Sequence, residues 1–366
     1  MSYSTKRRAV IASIGTALGA GIAGCGSDSG GDGSSGDGSS GGDGSSGNDS
    51  QSSEPGNLTE LSTVQTNDGV STMGYLYSLD QGVWQENGID LNFKAASFAE
   101  YNLQVVEDIA EIGGYSTTSA IQHAIDGADL TYFGGSFAMF NRMFTLSSNS
   151  SIEDPSDIAG KTIGLPISET TSTSATHIAL IGEEYGIDIT EETEEVVTAS
   201  PPALYELLKD GEVDAASEFS AMTIRGIADE ELKTIFDPYD SFVNQTGYPP
   251  LTSIFNSKTG WLEENAQTAI NHHNAYQDMQ GLFEDNMNDV LDRYGAFAGL
   301  ENQARKDIVR QLFNEGKLFP PTEIDEGFKD SIITYAELLA DIGYYDELPD
   351  LQNRIITQSE LEEMAE

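Results

Sequence analysis

An α/β fold is predicted from Leu58 onward, and three observations predict it. Strand-like and helix-like stretches alternate along the chain. Glycines stand where helices should end, as at Gly88 and Gly186. About 300 residues remain after the N-terminal region, which is more than one small core takes, so one large or two medium domains are expected.

Leu58 to Thr66 reads as a first strand, and Gly69 to Gly74 as a polar, glycine-flanked turn. Tyr75 to Asn87 reads as a helix ending at Gly88. Ile89 to Phe93 alternates apolar and polar residues, as a half-buried strand does. Tyr101 to Ile112 has a helical pattern, broken by Gly113-Gly114. Ser119 to Ile125 is a short helix, Leu130 to Phe133 a buried strand, and Ala138 to Leu146 a strand closing the first block. In the second block, turns at Pro155 to Ile158 and Gly160-Lys161 precede a strand, Thr162 to Leu165. The loop Ile167 to Thr173 leads into a helix, Ser174 to Tyr185. Glu195 to Thr198 is a strand. Ser200-Pro201-Pro202 opens the helix Ala203 to Lys209 with proline in its first turn, and Ala215 to Glu218 is a strand. This βαβαβ order predicts a sheet with a parallel component and loops converging at strand C-termini. After about Thr234 the pattern changes. Tyr248 to Phe255 is extended, while Glu263 to Glu284, Met287 to Tyr294, Asn302 to Asn314 and Phe328 to Ile342 are amphipathic helices.

The N-terminal region reads differently. Lys6-Arg7-Arg8 precedes an apolar run, Ala9 to Ala23, of about 15 residues, short of the roughly 20 that span a bilayer. Its small residues suit a cleaved export signal over residues 1–24. Ile22-Ala23-Gly24-Cys25 resembles the lipobox of a secreted lipoprotein, which implies a lipid on the thiol of Cys25, the single cysteine. Arg7-Arg8 looks like a twin-arginine export signal; a Sec-type signal with incidental arginines fits the same residues. Residues 25–57, mostly Gly, Ser and Asp, cannot bury enough surface to order. They read as a disordered tether with an average reach of about 30 Å. The expected location is the extracellular face of the cytoplasmic membrane.

The net charge is −44, from 61 acidic and 17 basic residues. That opposes nucleic-acid binding, which needs basic surface to displace counterions. The acids are spread along the chain and lysine is scarce, as in halophilic proteins, where salt screens self-repulsion.

Three segments together resemble the nitrate/sulfonate/taurine type of periplasmic substrate-binding protein that serves ABC importers. They are Gln85-Glu86-Asn87-Gly88-Ile89-Asp90-Leu91, Pro155 to Gly164, and Ala203 to Ala216. The resemblance implies a periplasmic-binding-protein-like type II fold: two α/β lobes, a two-segment hinge and an interlobe ligand cleft. By that analogy residues 58–147 plus 245–350 form lobe 1 and 148–244 form lobe 2, with 351–366 an acidic C-terminal segment. It implies a small-molecule ligand (a sulfonate, nitrate or thiamine-precursor-like solute), an ABC permease as partner, and a monomer. A membrane-tethered ligand sensor without a transport role is the alternative. No basic residue matches an anion-reading position of the family.

Loops at strand C-termini should line the cleft, which singles out Ser71, Thr72, Tyr115, Ser116, Thr117, Ser136, Thr170, Thr171, Ser172, Thr173 and Glu218 as ligand-binding candidates. Hydroxyls and free N–H groups at a helix N-terminus suit anions. The run Thr170 to Ser174 also fits plain helix capping. Glu169 there disfavours an anion and would suit a ligand amine. Tyr115, Phe133 and Phe137 could face a planar or apolar part of a ligand; core packing also suits Phe133. Glu218 reads equally as a cleft residue or a solvated surface acid. Arg142 and Arg225 read as surface ion-pair partners.

Signals for catalysis fail on inspection, so no enzyme, cofactor or metal is expected. Gly160-Lys161-Thr162 looks like the end of a phosphate-binding loop, but Pro155 stands where that loop needs glycine. His272-His273 are adjacent on a helix and cannot form a zinc pair. A thiamine-pyrimidine-synthesising branch of the superfamily relies on a cysteine-rich motif that is missing here. The charge yields one prediction: raising KCl from 0.1 to 2 M should raise the melting temperature, whereas an ordinary acidic protein would show little change above about 0.2 M, where screening is already strong.

Overall fold

The computed structural model describes residues 58–67, 69–169 and 171–366. The expected signal, Cys25, the whole tether and Thr170 lie outside the described residues.

β1 (Thr59–Thr66) and β2 (Ile89–Ala96) form a parallel pair with Leu61 opposite Leu91. Ile89 and Leu91 are buried while Asp90 and Asn92 are exposed, as the period of two requires. Between them lie α1 (Val70–Gln81) and α2 (Val83–Glu86). The expected turn at residues 69–74 is therefore the first turn of α1. The helix ends early because Gly82 takes a left-handed conformation, its N–H closing on the carbonyls of Leu79 and Ser78.

α3 (Phe98–Tyr101) is one turn long, so the helix expected over Tyr101 to Ile112 does not form. Side-chain hydrogen bonds to other parts of the chain hold this segment instead. Gln104 accepts from the Val64 N–H at 2.8 Å and donates to the Val64 carbonyl at 3.2 Å. The Tyr115 hydroxyl accepts from the N–H groups of Val105 and Val106.

β3 (Gly113–Ser116), α4 (Thr117–Ile125) and β4 (Leu130–Ala138) follow. β10 (Leu251–Lys258) lies antiparallel between β3 and β4 in a three-stranded sheet. Gly113-Gly114 thus begins a strand rather than breaking a helix. The strand expected over Ala138 to Leu146 is two strands in two sheets. After residues 139–141 the chain enters β5 (Arg142–Leu146), which belongs to a five-stranded sheet.

That sheet is ordered β7-β6-β8-β5-β9 and comprises β6 (Thr162–Pro166), β7 (Glu195–Ala199), β8 (Ala215–Glu218) and β9 (Leu232–Phe236) beside β5. β6 runs parallel to β7 and β8; β5 runs antiparallel to β8 and β9. Its helices are α5 (Ser172–Tyr185), α6 (Ile189–Glu192), α7 (Pro201–Asp210) and α8 (Ala221–Ile227). The return passes through α9 (Pro238–Thr246), capped by Asp237, to β10. The expected βαβαβ order holds, but α8, β9 and α9 were not read from the sequence. They are short, five to nine residues, with little room for a periodic pattern.

α10 (Thr259–Asp285), α11 (Met287–Tyr294), α12 (Gln303–Asn314) and α13 (Glu326–Asp341) match the four expected helices closely. α14 (Gln358–Ala365) was not expected. The acidic C-terminal segment, expected outside both lobes, packs into the core. Tyr132 and Ile355 form a bridge, a Thr357–Glu360 capping box starts α14, and Leu361 is fully buried against α10 and its neighbours. His272 and His273 lie in the same apolar cluster region, fully buried among Trp84, Phe255 and Phe133. Leu361→Ala should therefore cost about 2–5 kcal/mol in denaturant unfolding, the range for a buried leucine truncation. An unaltered midpoint would mean that α14 does not dock in solution.

Candidate functional site

The C-terminal ends of the parallel strands β6 and β8 are where an open α/β sheet presents its loops. Both ends carry backbone outliers. Ile167, just after β6, has φ +65°, and Ser220, just after β8, has φ +53°. Left-handed conformations of this kind cost about 1–3 kcal/mol each in non-glycine residues and cluster at ligand clamps. The β-branched Ile167 is held there while largely exposed, its N–H bonded to the Ala199 carbonyl at 2.7 Å.

Between these turns, α5 starts with the hydroxyl run. Thr171 is the N-cap: its Oγ1 accepts from the Ser174 N–H and also contacts the Ser168 and Pro166 carbonyls. Ser172 is half-buried. Thr173 is buried and accepts a hydrogen bond from Asn141 Nδ2 at 3.0 Å, which ties the helix start to the 139–141 crossing. One turn on, His177 donates from Nδ1 to the Thr173 carbonyl at 2.8 Å, and burial pulls its pKa down to about 4.

At the end of β8, Glu218 is fully buried, and neither carboxylate oxygen has a partner. Ser217 Oγ and Thr223 Oγ1 are likewise buried and unpartnered. The solvated-surface alternative for Glu218 is excluded. Desolvation pushes its pKa up to about 9, against a smaller opposing pull from Arg225. The nearby cations are engaged elsewhere. Arg142, opposite Glu218 in the β5–β8 ladder, is buried and pairs with Asp237 at 2.7 Å, so it is not the surface residue expected. Arg225 stacks over Tyr205 and pairs with Glu206 at 2.9 Å.

On the other sheet, β3, β4 and β10 bring together Gly114, Ser136 and Ser253, with Tyr101 beside them. A Cβ on Gly114 would stand 3.0 Å from both Ser136 Oγ and the Tyr101 hydroxyl, so the backbone approaches these groups closely. Ser116 caps α4, accepting from the Ser119 N–H, and Thr117 Oγ1 donates to the Leu251 carbonyl at 2.8 Å. Tyr115 is fully buried, its hydroxyl occupied by the Val105 and Val106 N–H groups. Phe133 is buried core, and Phe137 is partly buried against Phe140 and Phe319. At the β1–α1 turn, Thr72 Oγ1 donates to the Thr66 carbonyl, and Ser71 Oγ lies 3.5 Å from Gln65 Oε1. Gln65 Nε2 is buried without a partner. Sequence reasoning missed Gln65, Asn141 and Thr223; the position of Gln65 near a strand C-terminus was the available signal.

The two sheet systems meet beside these groups. Val70 and Met73 of α1 share one buried apolar cluster with Ile224 of α8 and Phe140 of the crossing. Among the described residues no group of three or more His, Cys, Asp or Glu is placed to hold a metal, and no helix is long and apolar enough to cross a membrane.

A chain that passes twice between α/β sheets, with strand-end loops gathered where they meet, has the fold of periplasmic substrate-binding proteins. Solved structures with this arrangement include the periplasmic aliphatic sulphonate-binding protein SsuA of Escherichia coli. It is 14% identical with a TM-score of 0.67, over 81% of this chain and 92% of that one. A putative sulfonate ABC transporter periplasmic sulfonate-binding protein, SsuA from Methylobacillus flagellatus KT, is 14% identical with a TM-score of 0.64, over 84% and 96%. The alkanesulfonate-binding protein SsuA from Xanthomonas axonopodis pv. citri, bound to MOPS, is 13% identical with a TM-score of 0.62, over 82% and 99%. The family model described as NMT1/THI5 like matches residues 70–269, more than half of the chain, and the chain belongs to that family. Comparison with curated proteins finds no match.

The raised Glu218 pKa has a stability consequence. Between the ordinary value of 4.5 and about 9, folded Glu218 holds a proton that the unfolded chain has lost. Stability therefore falls as pH rises through that window. Glu218→Gln, which mimics the protonated form, should raise the denaturation midpoint at pH 8.5 far more than at pH 5. Equal shifts at both pH values would place Glu218 in contact with solvent or a cation.

Proposed function

We propose that this chain is the extracytoplasmic solute-binding component of an ABC importer, tethered outside the cytoplasmic membrane through lipid on Cys25. One lobe comprises residues 58–138 and 251–366, with the β1-β2 and β3-β10-β4 sheets. The other comprises residues 142–236, with the five-stranded sheet. Residues 139–141 and 237–250 form the hinge. The membership of β5 in the five-stranded sheet supports a first hinge before Arg142 rather than after Leu146.

The observation that carries this reading is the presence of strained or unpartnered groups at strand ends of both sheet systems: Ile167, Ser220 and Glu218 on one side, Gln65 on the other. Lobe closure brings a solute into contact with both sides, and that differential contact drives the hinge. Ser71, Ser136, Thr173 and Glu218 are the groups best placed to meet the solute. Thr72, Tyr115, Ser116, Thr117 and Thr171 hold the surrounding backbone in place. Binding rather than catalysis is the activity. The solute is a small polar molecule; the sulfonate proteins that share the fold support that class, and nitrate and thiamine-precursor-like compounds fall within it.

A thermal-shift screen in molar salt over sulfonates, nitrate, thiamine precursors and aromatic acids tests the proposal. A true solute at 100 times its Kd adds about 2.7 kcal/mol of stability and a clear rise in Tm. It should also shrink the radius of gyration in solution scattering as the lobes close. Absence of both changes across the screen would end the solute-binding reading.

A further inference from the structure

Most buried polar groups in this molecule are engaged, as is usual in a native fold. The end of β8 departs from that rule three times within seven residues: Ser217 Oγ, both oxygens of Glu218, and Thr223 Oγ1 are buried without partners. A buried, unpaired carboxyl group is costly to maintain. The fold supplies no internal donor for it, although Arg142 is directly opposite in the strand ladder. That guanidinium turns instead to Asp237 and to the Asn141 carbonyl. Ser220, two residues on, is held in a strained left-handed conformation, which sets the entry to α8. α8 in turn packs against α12 and shares one buried apolar cluster with Val70 and Met73 of α1, so Glu218 stands near the junction of the two sheet systems.

A carboxyl group with no protein donor is complementary to a donor brought by a ligand. We propose that Glu218 is the specificity-determining residue of the solute site, receiving a nitrogen-bound proton, so that the natural solute carries an amino, ammonium or amidine-type N–H group. The hydroxyls of Ser217 and Thr223 supply further hydrogen bonds beside it. Every cation named near this position is already paired, as Arg142 is with Asp237 and Arg225 with Glu206. A bare anion would therefore meet no free positive charge among these residues. This inference rests on the solute-binding reading.

Matched pairs of probes test it by calorimetry and thermal shift in molar KCl at one pH: taurine with ethanesulfonate, 4-aminopyrimidine with pyrimidine, and N,N-dimethylglycine with glycine betaine. The first member of each pair carries an N–H donor, or a protonated amine, that the second lacks. For the pair that binds, the donor-bearing member should bind at least tenfold more tightly. A cationic N–H group brought against Glu218 favours the ionised carboxylate and displaces its proton, a state that glutamine cannot reach, so Glu218→Gln should reduce that affinity at least tenfold and erase the discrimination. Thr223→Val, close in shape and without the hydroxyl, should weaken binding about threefold and leave the preference intact. Circular dichroism and a cooperative melt verify that each variant is folded. If ethanesulfonate or nitrate binds while every N–H compound fails, or if Glu218→Gln leaves affinities unchanged, the assignment of Glu218 is overturned and the solute-binding reading stands. If no probe binds and solution scattering shows no closure with any compound of the wider screen, the underlying reading falls with it.

Discussion

The Asp237 carboxylate joins the two places where the chain passes between its sheets. Oδ1 accepts from the Tyr239 and Asp240 N–H groups and starts α9. Oδ2 takes Arg142 at 2.7 Å and Lys317 at 2.8 Å. Arg142 opens β5 directly after the first crossing, and Asp237 follows β9 at the start of the second. Lys317, beyond α12, reaches both Asp237 and Asp240 at 2.7–2.8 Å. The set is two cations and two anions, of which Arg142, Lys317 and Asp237 are largely removed from water while Asp240 is exposed. Such a group is tolerated because it is balanced; removing one partner of a buried pair typically costs about 3–5 kcal/mol. It also keeps the Arg142 guanidinium away from Glu218, which leaves the end of β8 without an internal cation.

The polar groups around the sheet junction divide into two kinds. Thr171, Thr117, Ser116, Thr72 and Tyr115 satisfy backbone donors and acceptors, and so hold turns in place. The side-chain oxygens of Glu218, Ser217 and Thr223 and the Nε2 of Gln65 have no partner among the described residues. The second kind is destabilising in isolation, as are the left-handed Ile167 and Ser220. A fold keeps such features only when the surrounding structure over-determines them. Here the dry clusters on both faces do that. Ala216 and Phe144 pack with Leu204 and Leu208 on one side of the five-stranded sheet, and Ile163, Ala215 and Met143 lie in the main core.

Much of the secondary structure was legible because it rests on local chemistry. β2 alternates, α7 opens with Pro201-Pro202, α5 ends at Gly186, and α11 runs from Met287 to Tyr294 as its pattern implies. The misreadings occur where distant side chains overrule local preference. The segment after Tyr101 has a helical pattern, yet the Gln104 side chain within it is tied to the Val64 backbone 40 residues away and the Tyr115 hydroxyl takes the Val105 and Val106 N–H groups. Residues 138–146 are largely apolar and extended in character, yet the chain changes sheets at Asn141-Arg142 in the middle. The acidic C-terminal segment was placed outside both expected lobes, yet Leu361 and Ile355 anchor it to α10 and β4. Of the candidate site, the positions of the loops at strand ends were legible. Which hydroxyls within them are already engaged was not.

By itself the sequence determined the α/β class, the acidic charge, the helix caps and the expectation of a lipid-bearing Cys25, since composition, short-range periodicity and adjacent motifs encode all four. Only the tertiary structure decided that Thr171 is a cap, that Arg142 is buried in an ion network, and that Glu218 stands unpaired. Those outcomes depend on groups that the chain brings together from far apart: Asp237 and Lys317 with Arg142, and α8 against α12. Burial and pairing are properties of such non-local contacts, and an acidic residue at a strand end has the same local signature whether it faces water or a solute.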